Sequence, residues 1–424
     1  MRINYHNIIF AALFFAVSCS KEDLRTESSL RTDARVRVDT NSISLEKAEV
    51  FAKDLFKSQK NPAAKSSIEK SIESIAPVGS DKNKPSYFII NYKGGGFLIL
   101  SGDKRIYPVL AYSETEHFDL DAESYPDLLV GWLRMQDDMA GLVRRDSITD
   151  RSQMGKMWTT GEVENFIFSK RPKADSKTSK AAASCESQPF TTPILIASYG
   201  PLLPTTWGQG VGYNNQTQYL ACTNYSNGYA PTGCVATAMS QVLRYYQYPN
   251  SYDWSIMPTI ITDSNSATAG ANEVARLMRA CGNSVGMDYG CDGSSSETED
   301  VPGALKSAFG FSSADYAGFN ITTTYNELVN GNPVILRGGE KGKKWLIFNV
   351  YQNGHAWVCD GMEYYRMKIR VMAGQHGYET TCVPKYTYHM NWGWNGAYNG
   401  WYSTFENPEG SFSYQSAMVF NIRK

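Results

Sequence analysis

The sequence predicts an α+β protein made of two folded regions in tandem. Runs with apolar residues at helical spacing stand beside short aromatic and β-branched runs bounded by Gly, Asn and Asp. At 424 residues the chain exceeds one typical domain, and 42% hydrophobic residues are enough for folded cores. Residues 171–189 are small, polar and Lys-bearing, which reads as a linker open to proteolytic nicking.

The chain opens with Arg2 and the apolar run from Ile8 to Val17. That run is too short to cross a bilayer and fits an export signal over residues 1–18. Small residues before Cys19 resemble a lipobox, so Cys19 is expected to carry a lipid on the exported chain. The alternative is an ordinary signal cut near Ser18. Lys21, Glu22 and Asp23 resemble the export tag of some surface-displayed lipoproteins. Residues 20–43 are polar and poorly patterned, as a tether would be.

Leu45, Val50, Phe51 and Leu55 predict a helix over residues 45–56. Strands are expected at 87–92, 96–100 and 107–112, joined by turns at Lys93-Gly-Gly and Gly102-Asp-Lys-Arg. A second amphipathic helix follows over 127–142, with Leu128, Trp132, Met135 and Leu142 on one face. This upstream region has helices and strands but no nucleophile–base pair. Beyond the linker, Val235, Met239, Val242, Leu243 and Tyr246 mark a helix that Pro249 ends. Helices are expected again at 273–280 and 301–309. Strands are expected at 333–336, 345–350, 356–359, 364–371, 385–390 and 400–403. Helices followed by an antiparallel sheet make a two-part α+β layout.

The chemistry starts at Cys234, which falls at the beginning of the 234–246 helix. Unpaired N–H groups and the positive end of the dipole stabilise a thiolate there. From this stretch alone, a buried structural cysteine reads equally well. A thiolate nucleophile needs a proton acceptor. Of the five histidines, His6 lies in the export segment and His117 in the upstream region. His376 lies in a polar loop, and His389 in a strand-like run. His355 stands where a Gly-led turn feeds a short apolar strand, so elimination favours it. The run Asn391-Trp-Gly-Trp-Asn-Gly396 supplies a third piece. Its amide can fix the ring tautomer and an indole can shield that bond, although a tight aromatic turn explains the run as well.

Taken together these motifs resemble the streptopain-like family of bacterial cysteine peptidases. The resemblance rests on Gly-Cys-Val-Ala-Thr-Ala around Cys234, Gly-His-Ala-x-Val-x-Asp-Gly around His355, and Asn-Trp-Gly-Trp-x-Gly. Smaller matches are Trp207-Gly-Gln-Gly, Gly286-Met-Asp-Tyr-Gly290 and Ala304-Leu-Lys-x-x-Phe-Gly310. The upstream Ser101-Gly-Asp-Lys-Arg run resembles the family's inhibitory propeptide. The resemblance implies a papain-like two-part fold behind a small α+β propeptide domain. It implies Cys234 as nucleophile, His355 as base, Gln209 as oxyanion-hole side chain, and Asn391 and Trp392 as the residues that orient and cover the His. The implied layout is a propeptide over 20–170, a cleavable linker over 171–189 and a catalytic domain over 190–424.

The implied product is a thiol endopeptidase made as a zymogen, anchored at the outer membrane or cell surface and partly released on processing. Its partners are protein or peptide substrates and its own propeptide. An acyltransferase and an inactive binding protein are the rival readings. No cofactor is implied. A formal net charge of −1 without a basic run gives no case for nucleic acid, and membrane contact is expected only through Cys19. No Cys-x-x-Cys occurs, and the acidic Gly/Ser run 287–296 fits no EF-hand spacing, so no metal is expected. Among the remaining cysteines, Cys281–Cys291 and Cys359–Cys382 are the first pairings to test.

Overall fold

Strands β2 (Tyr87–Tyr92) and β3 (Phe97–Ser101) are buried on both faces, and this explains the upstream architecture. Side chains alternate across a strand. Phe88, Ile90, Leu98 and Leu100 pack against Ala48, Phe51, Ala52 and Leu55 of helix α1 (Leu45–Lys57). Tyr87, Ile89, Phe97 and Ile99 turn the other way, onto Leu128, Leu129, Trp132 and Leu133 of α2 (Asp127–Arg145). Strands β1 (Ile72–Val78) and β4 (Val109–Ser113) flank them in an antiparallel meander. The half-exposed β1 carries no clean alternation, so the sequence pattern does not announce it. The computed structural model describes residues 39–57, 70–145, 152–158, 194–339, 344–349, 354–372, 378–403 and 416–424. The export signal with Cys19, the 171–189 linker and His376 lie outside these.

After β5 (Ile194–Tyr199) comes a small hairpin of β6 (Tyr219–Cys222) and β7 (Gly228–Tyr229). Helices α3 (Cys234–Tyr246), α4 (Ala269–Ser284) and α5 (Val301–Ser307) follow. Val235, Met239, Val242, Val274, Leu277, Val301 and Leu305 form their shared core. Strand β8 (Ser313–Gly318) and helix α6 (Ile321–Val329) were not expected from the sequence. One is mostly small residues and the other has three threonines after Ile321, which are weak strand and helix signals respectively. Asn320 caps α6 by accepting from the Thr323 amide.

The remaining strands are β9 (Val334–Gly338), the short hairpin β10 (Lys344–Trp345) and β11 (Phe348–Asn349), then β12 (His355–Met372), β13 (Tyr378–Asn391), β14 (Gly400–Ser403) and β15 (Ala417–Arg423). Two features depart from expectation. The segments 356–359 and 364–371 are one 18-residue strand, because Asp360-Gly361 forms a bulge against β13 rather than a turn. The segment expected at 345–350 is not one strand but contains the turn of the β10–β11 hairpin, with Trp345 opposite Phe348.

The upstream meander does not stand apart. Strand β4 pairs with β14, Trp401 opposite Tyr112 and Tyr402 opposite Ala111. One sheet therefore runs β1-β2-β3-β4-β14-β13-β12-β9-β15-β8, with β5 also on β12. Residues Asn41–Lys424 form one compact unit. The open edge that β14 would present is thereby covered.

The expected disulfides are not those formed. Cys222 pairs with Cys291, while Cys281 and Cys359 are free and buried. Cys281 faces α3, where the Ser240 hydroxyl donates to its sulfur at 3.2 Å, so it is turned away from Cys291. Cys359 lies inside the sheet's core, and Cys382 is disulfide-bonded without it.

Candidate active site

Gly233 makes the helix entrance possible. It caps α3 with φ of 85°, and a Cβ there would meet the Met287 sulfur at 2.6 Å. Cys234 is thus the first residue of α3. The Thr237 amide and hydroxyl both donate to the Gly233 carbonyl, which fixes the first turn. The residue is partly open to the cleft, and the backbone amides of Ala356 and Val235 favour its thiolate. Burial pushes its thiol up to about 11, the Asp127 carboxylate pushes the same way, and the amides only partly offset them.

His355 is the first residue of β12, paired with Gly338 of β9. Its Nε2 lies 2.7 Å from the Trp392 carbonyl. A carbonyl only accepts, so Nε2 carries the proton and Nδ1 is the bare base nitrogen of the neutral ring. Nδ1 is enclosed and has no hydrogen-bond partner among the described residues. Trp357 and Trp392 stack near the ring, with centroids at 6.1 and 6.4 Å, and Trp394 meets it edge-on at 6.0 Å. Burial lowers the imidazole to about 4, with the Trp392 carbonyl opposing. Cys234 and His355 line one cavity of about 440 Å³, with Ser294, Ser295, Arg337 and Ala356.

Gln209 lines a neighbouring cavity of about 610 Å³ with Tyr225, Pro231, Asp292, Trp394 and Asn395. Its carbonyl accepts from the Thr232 amide at 3.1 Å, which ties its loop to the lead-in of α3. Asn391 does not touch the His355 ring nitrogen. Its Oδ1 accepts from Gln241 Nε2 at 3.1 Å and from the Gly393 amide at 3.2 Å, while its Nδ2 donates to the Thr205 carbonyl at 2.7 Å. The bond to the ring comes instead from the backbone of its neighbour Trp392. The other described histidines are engaged elsewhere. His389 Nδ1 lies 2.6 Å from Asp360, and exposed His117 lies 3.9 Å from Glu73.

A model of the Peptidase C10 family matches residues 207–252 and 250–402, and a model of the Spi protease inhibitor matches residues 40–139. The thiol protease/hemagglutinin PrtT of Porphyromonas gingivalis is 26% identical over 90% of this chain, which spans 42% of that protein's length. Streptopain of Streptococcus pyogenes is 24% identical over 81% of this chain and 82% of its own. The chain is a streptopain-like cysteine peptidase with an N-terminal inhibitory propeptide. A solved fragment of Prevotella intermedia prointerpain A shares its fold, with TM-score 0.51 and 24% identity over 84% of this chain and 99% of that one.

The propeptide borders the Gln209 cavity and packs beside the strand that pairs with His355. Glu123 and Ser124 line the Gln209 cavity. The Tyr398 amide donates to the His117 carbonyl at 3.0 Å, and its hydroxyl to the Asp119 carbonyl at 3.3 Å. Leu128 packs beside Gly338, the residue opposite His355. Asp127, at the start of α2, brings a buried carboxylate near the Cys234 sulfur. Sequence reasoning missed Asp127 and Gln241. Asp127 has no sequence signal, whereas Gln241 stands seven residues after Cys234, on the same face of α3.

Proposed function

We propose that this peptidase is an exported zymogen in which Cys234 is the nucleophile and His355 the general base and acid. The observation that carries the reading is the shared cavity. A cysteine at a helix N-terminus and a histidine with a bare Nδ1 line the same wall, and the histidine's other nitrogen is occupied by a carbonyl. In the open enzyme the thiol proton passes to Nδ1, and the sulfur attacks the scissile carbonyl carbon. The oxyanion takes hydrogen bonds from the Cys234 N–H and the Gln209 side chain. His355 then hands its proton to the leaving amine as the C–N bond breaks. Water, deprotonated by His355, releases the acid and restores the thiol.

Latency follows from the same groups. A raised thiol and a lowered imidazole keep the proton on sulfur while the propeptide is in place. Removing the propeptide takes away Asp127 and opens the Gln209 cavity to water, so the thiol's shift relaxes towards the ion pair. We read 20–170 as the inhibitory region, 171–189 as the cut segment, and Cys19 as a lipid anchor at the cell surface.

The test uses purified full-length protein. Cys234→Ala and His355→Ala should each lower kcat/KM by more than about 10⁴-fold, since members of a catalytic unit act together. The Cys234→Ala chain should also remain uncut until active enzyme is added. Normal activity in either folded variant sinks the assignment. A Cys19→Ala chain should leave the membrane fraction, and a wild-type chain that is already soluble before processing would reject the anchor.

A further inference from the structure

Cys234, Gln209 and the Asn391–Trp392 pair come from three distant stretches, and one side chain touches all three stretches. Gln241 is fully buried on α3, two turns beyond Cys234 on the same face. Its Oε1 accepts from the Thr205 hydroxyl at 3.0 Å, the Trp207 amide at 3.1 Å and Asn391 Nδ2 at 3.2 Å. Its Nε2 donates to Asn391 Oδ1 at 3.1 Å. The two amides thus form a closed head-to-head pair. Trp207 stands two residues before Gln209, and Asn391 stands one residue before the carbonyl that holds His355.

We propose that Gln241 is a positioning residue of the peptidase reaction: paired with Asn391 and bound to Trp207, it sets the Trp392 carbonyl against His355 and the Gln209 loop against the helix of Cys234.

Each part of the network supports this. An apolar side chain at 241 would leave the Trp207 amide and both ends of the Asn391 amide short of partners in a dry site. Asn391 is then free to turn, and the backbone it anchors carries the Trp392 carbonyl with it. Substrate binding does not require that bond, but holding the imidazole in its reactive orientation does. A small displacement at a reacting group is expensive, whereas KM senses cavity walls that Gln241 never reaches. The carbonyl also favours the imidazolium over the neutral ring, so loosening it makes the imidazolium easier to deprotonate.

This inference rests on the Cys234–His355 reading, and the experiment separates the two. The processed enzyme carrying Gln241→Met is compared with wild type and with Cys234→Ala. Expected for Gln241→Met is a kcat lowered about 10- to 100-fold with KM within about twofold. The alkaline limb of its kcat/KM profile should move to lower pH by about half a unit. Asn391→Leu should do the same, and the double variant should be no worse than either single one, because both break one link. Gln241→Glu keeps the acceptor contacts but opposes a carboxylate to Asn391 Oδ1. Its kcat should be low at neutral pH and recover as acid protonates that group and restores the donor, an outcome that a folding defect would not produce. It also serves if Gln241→Met does not fold. A wild-type kcat with an unmoved alkaline limb, or multiplied losses in the double variant, overturns the proposal. Activity that survives Cys234→Ala overturns the dyad instead.

Discussion

A thiol and an imidazole in a closed cleft stay neutral unless something stabilises the ions. Here the thiolate is opposed twice, by burial and by the Asp127 carboxylate of the propeptide. The thiol's shift is upward, so thiolate forms in the intact chain only as pH climbs well past the ordinary cysteine range. Asp127→Asn removes one carboxylate and leaves the burial. In a precursor held uncut by linker substitutions, alkylation of Cys234 should rise with pH along a curve displaced to lower pH in the Asp127→Asn chain. The rate at pH 8 should increase about 2- to 10-fold. Mass spectrometry at Cys234 reads this without interference from buried Cys281 and Cys359. Coincident curves would mean that burial alone sets the thiol. At this scale the sequence was informative where chemistry constrains residue type. Cys234 was singled out at its helix start and His355 by elimination among five, and the fold sets the two on one cavity. Asn391 was expected against the ring, yet the Trp392 carbonyl stands there instead, because which atom of Asn391-Trp392 faces the ring depends on loop geometry. Asp127 was silent because proximity to Cys234 arises only when two distant segments pack.

Among elements, the rim hairpin β6–β7 shows how little local pattern says about long-range ties. Cys222 on β6 is bonded to Cys291 across 69 residues. No spacing rule distinguishes that pairing from Cys281–Cys291, and only the α3–α4 packing that turns Cys281 inward decides it. The bond ties Asn224 and Tyr225 to Asp292 and Gly293, all of which line the Gln209 cavity. A loop of that length restrains the unfolded chain by roughly 4 kcal/mol in the chain-entropy account. Cys222→Ser with Cys291→Ser should therefore lower the unfolding temperature by several degrees. It should also raise KM, because the cavity wall loosens, while kcat changes little because neither residue reaches the dyad. Unchanged KM for peptides extended on both sides of the cut would show that the rim does not meet substrate. Strand β12 gives the same lesson in reverse. Asp-Gly reads locally as a stop, yet pairing with both β9 and β13 carries the strand through it as a bulge.

Across the whole molecule, the propeptide is joined to the peptidase by a shared sheet, and the seam encloses charge. Lys385 on β13 is buried, with its ammonium 3.7 Å from the Tyr107 ring centre and 3.2 Å from the Ser403 hydroxyl. Glu363 on β12 is buried nearby, accepting from the Tyr365 hydroxyl at 2.8 Å and facing Tyr112 of β4 at 3.5 Å. Burial pulls Lys385 down to about 7, with Glu363 opposing. Once the propeptide leaves, the amine meets water and returns towards the ordinary lysine value of about 10.4. Separation therefore takes up a proton between those two values. The hold is weakest at and below neutral pH and tightens as pH rises, by up to about tenfold per unit. Tyr107 and Tyr365 are pushed well above their usual range, so they stay neutral in the joined form across a window ending near pH 9. The measurement uses full-length Cys234→Ala protein with a site for an unrelated protease placed in the linker. After cutting, the two halves are diluted and their separation is followed by size-exclusion chromatography at pH 7, 8 and 9. The dissociation constant should fall at each step. Lys385→Met, which fills the same space without a charge, should hold tightly with no slope. A flat wild-type profile, or an equal slope in Lys385→Met, would assign the seam's strength to the β4–β14 pairing and the apolar contacts of Tyr365, Met367 and Trp401 alone.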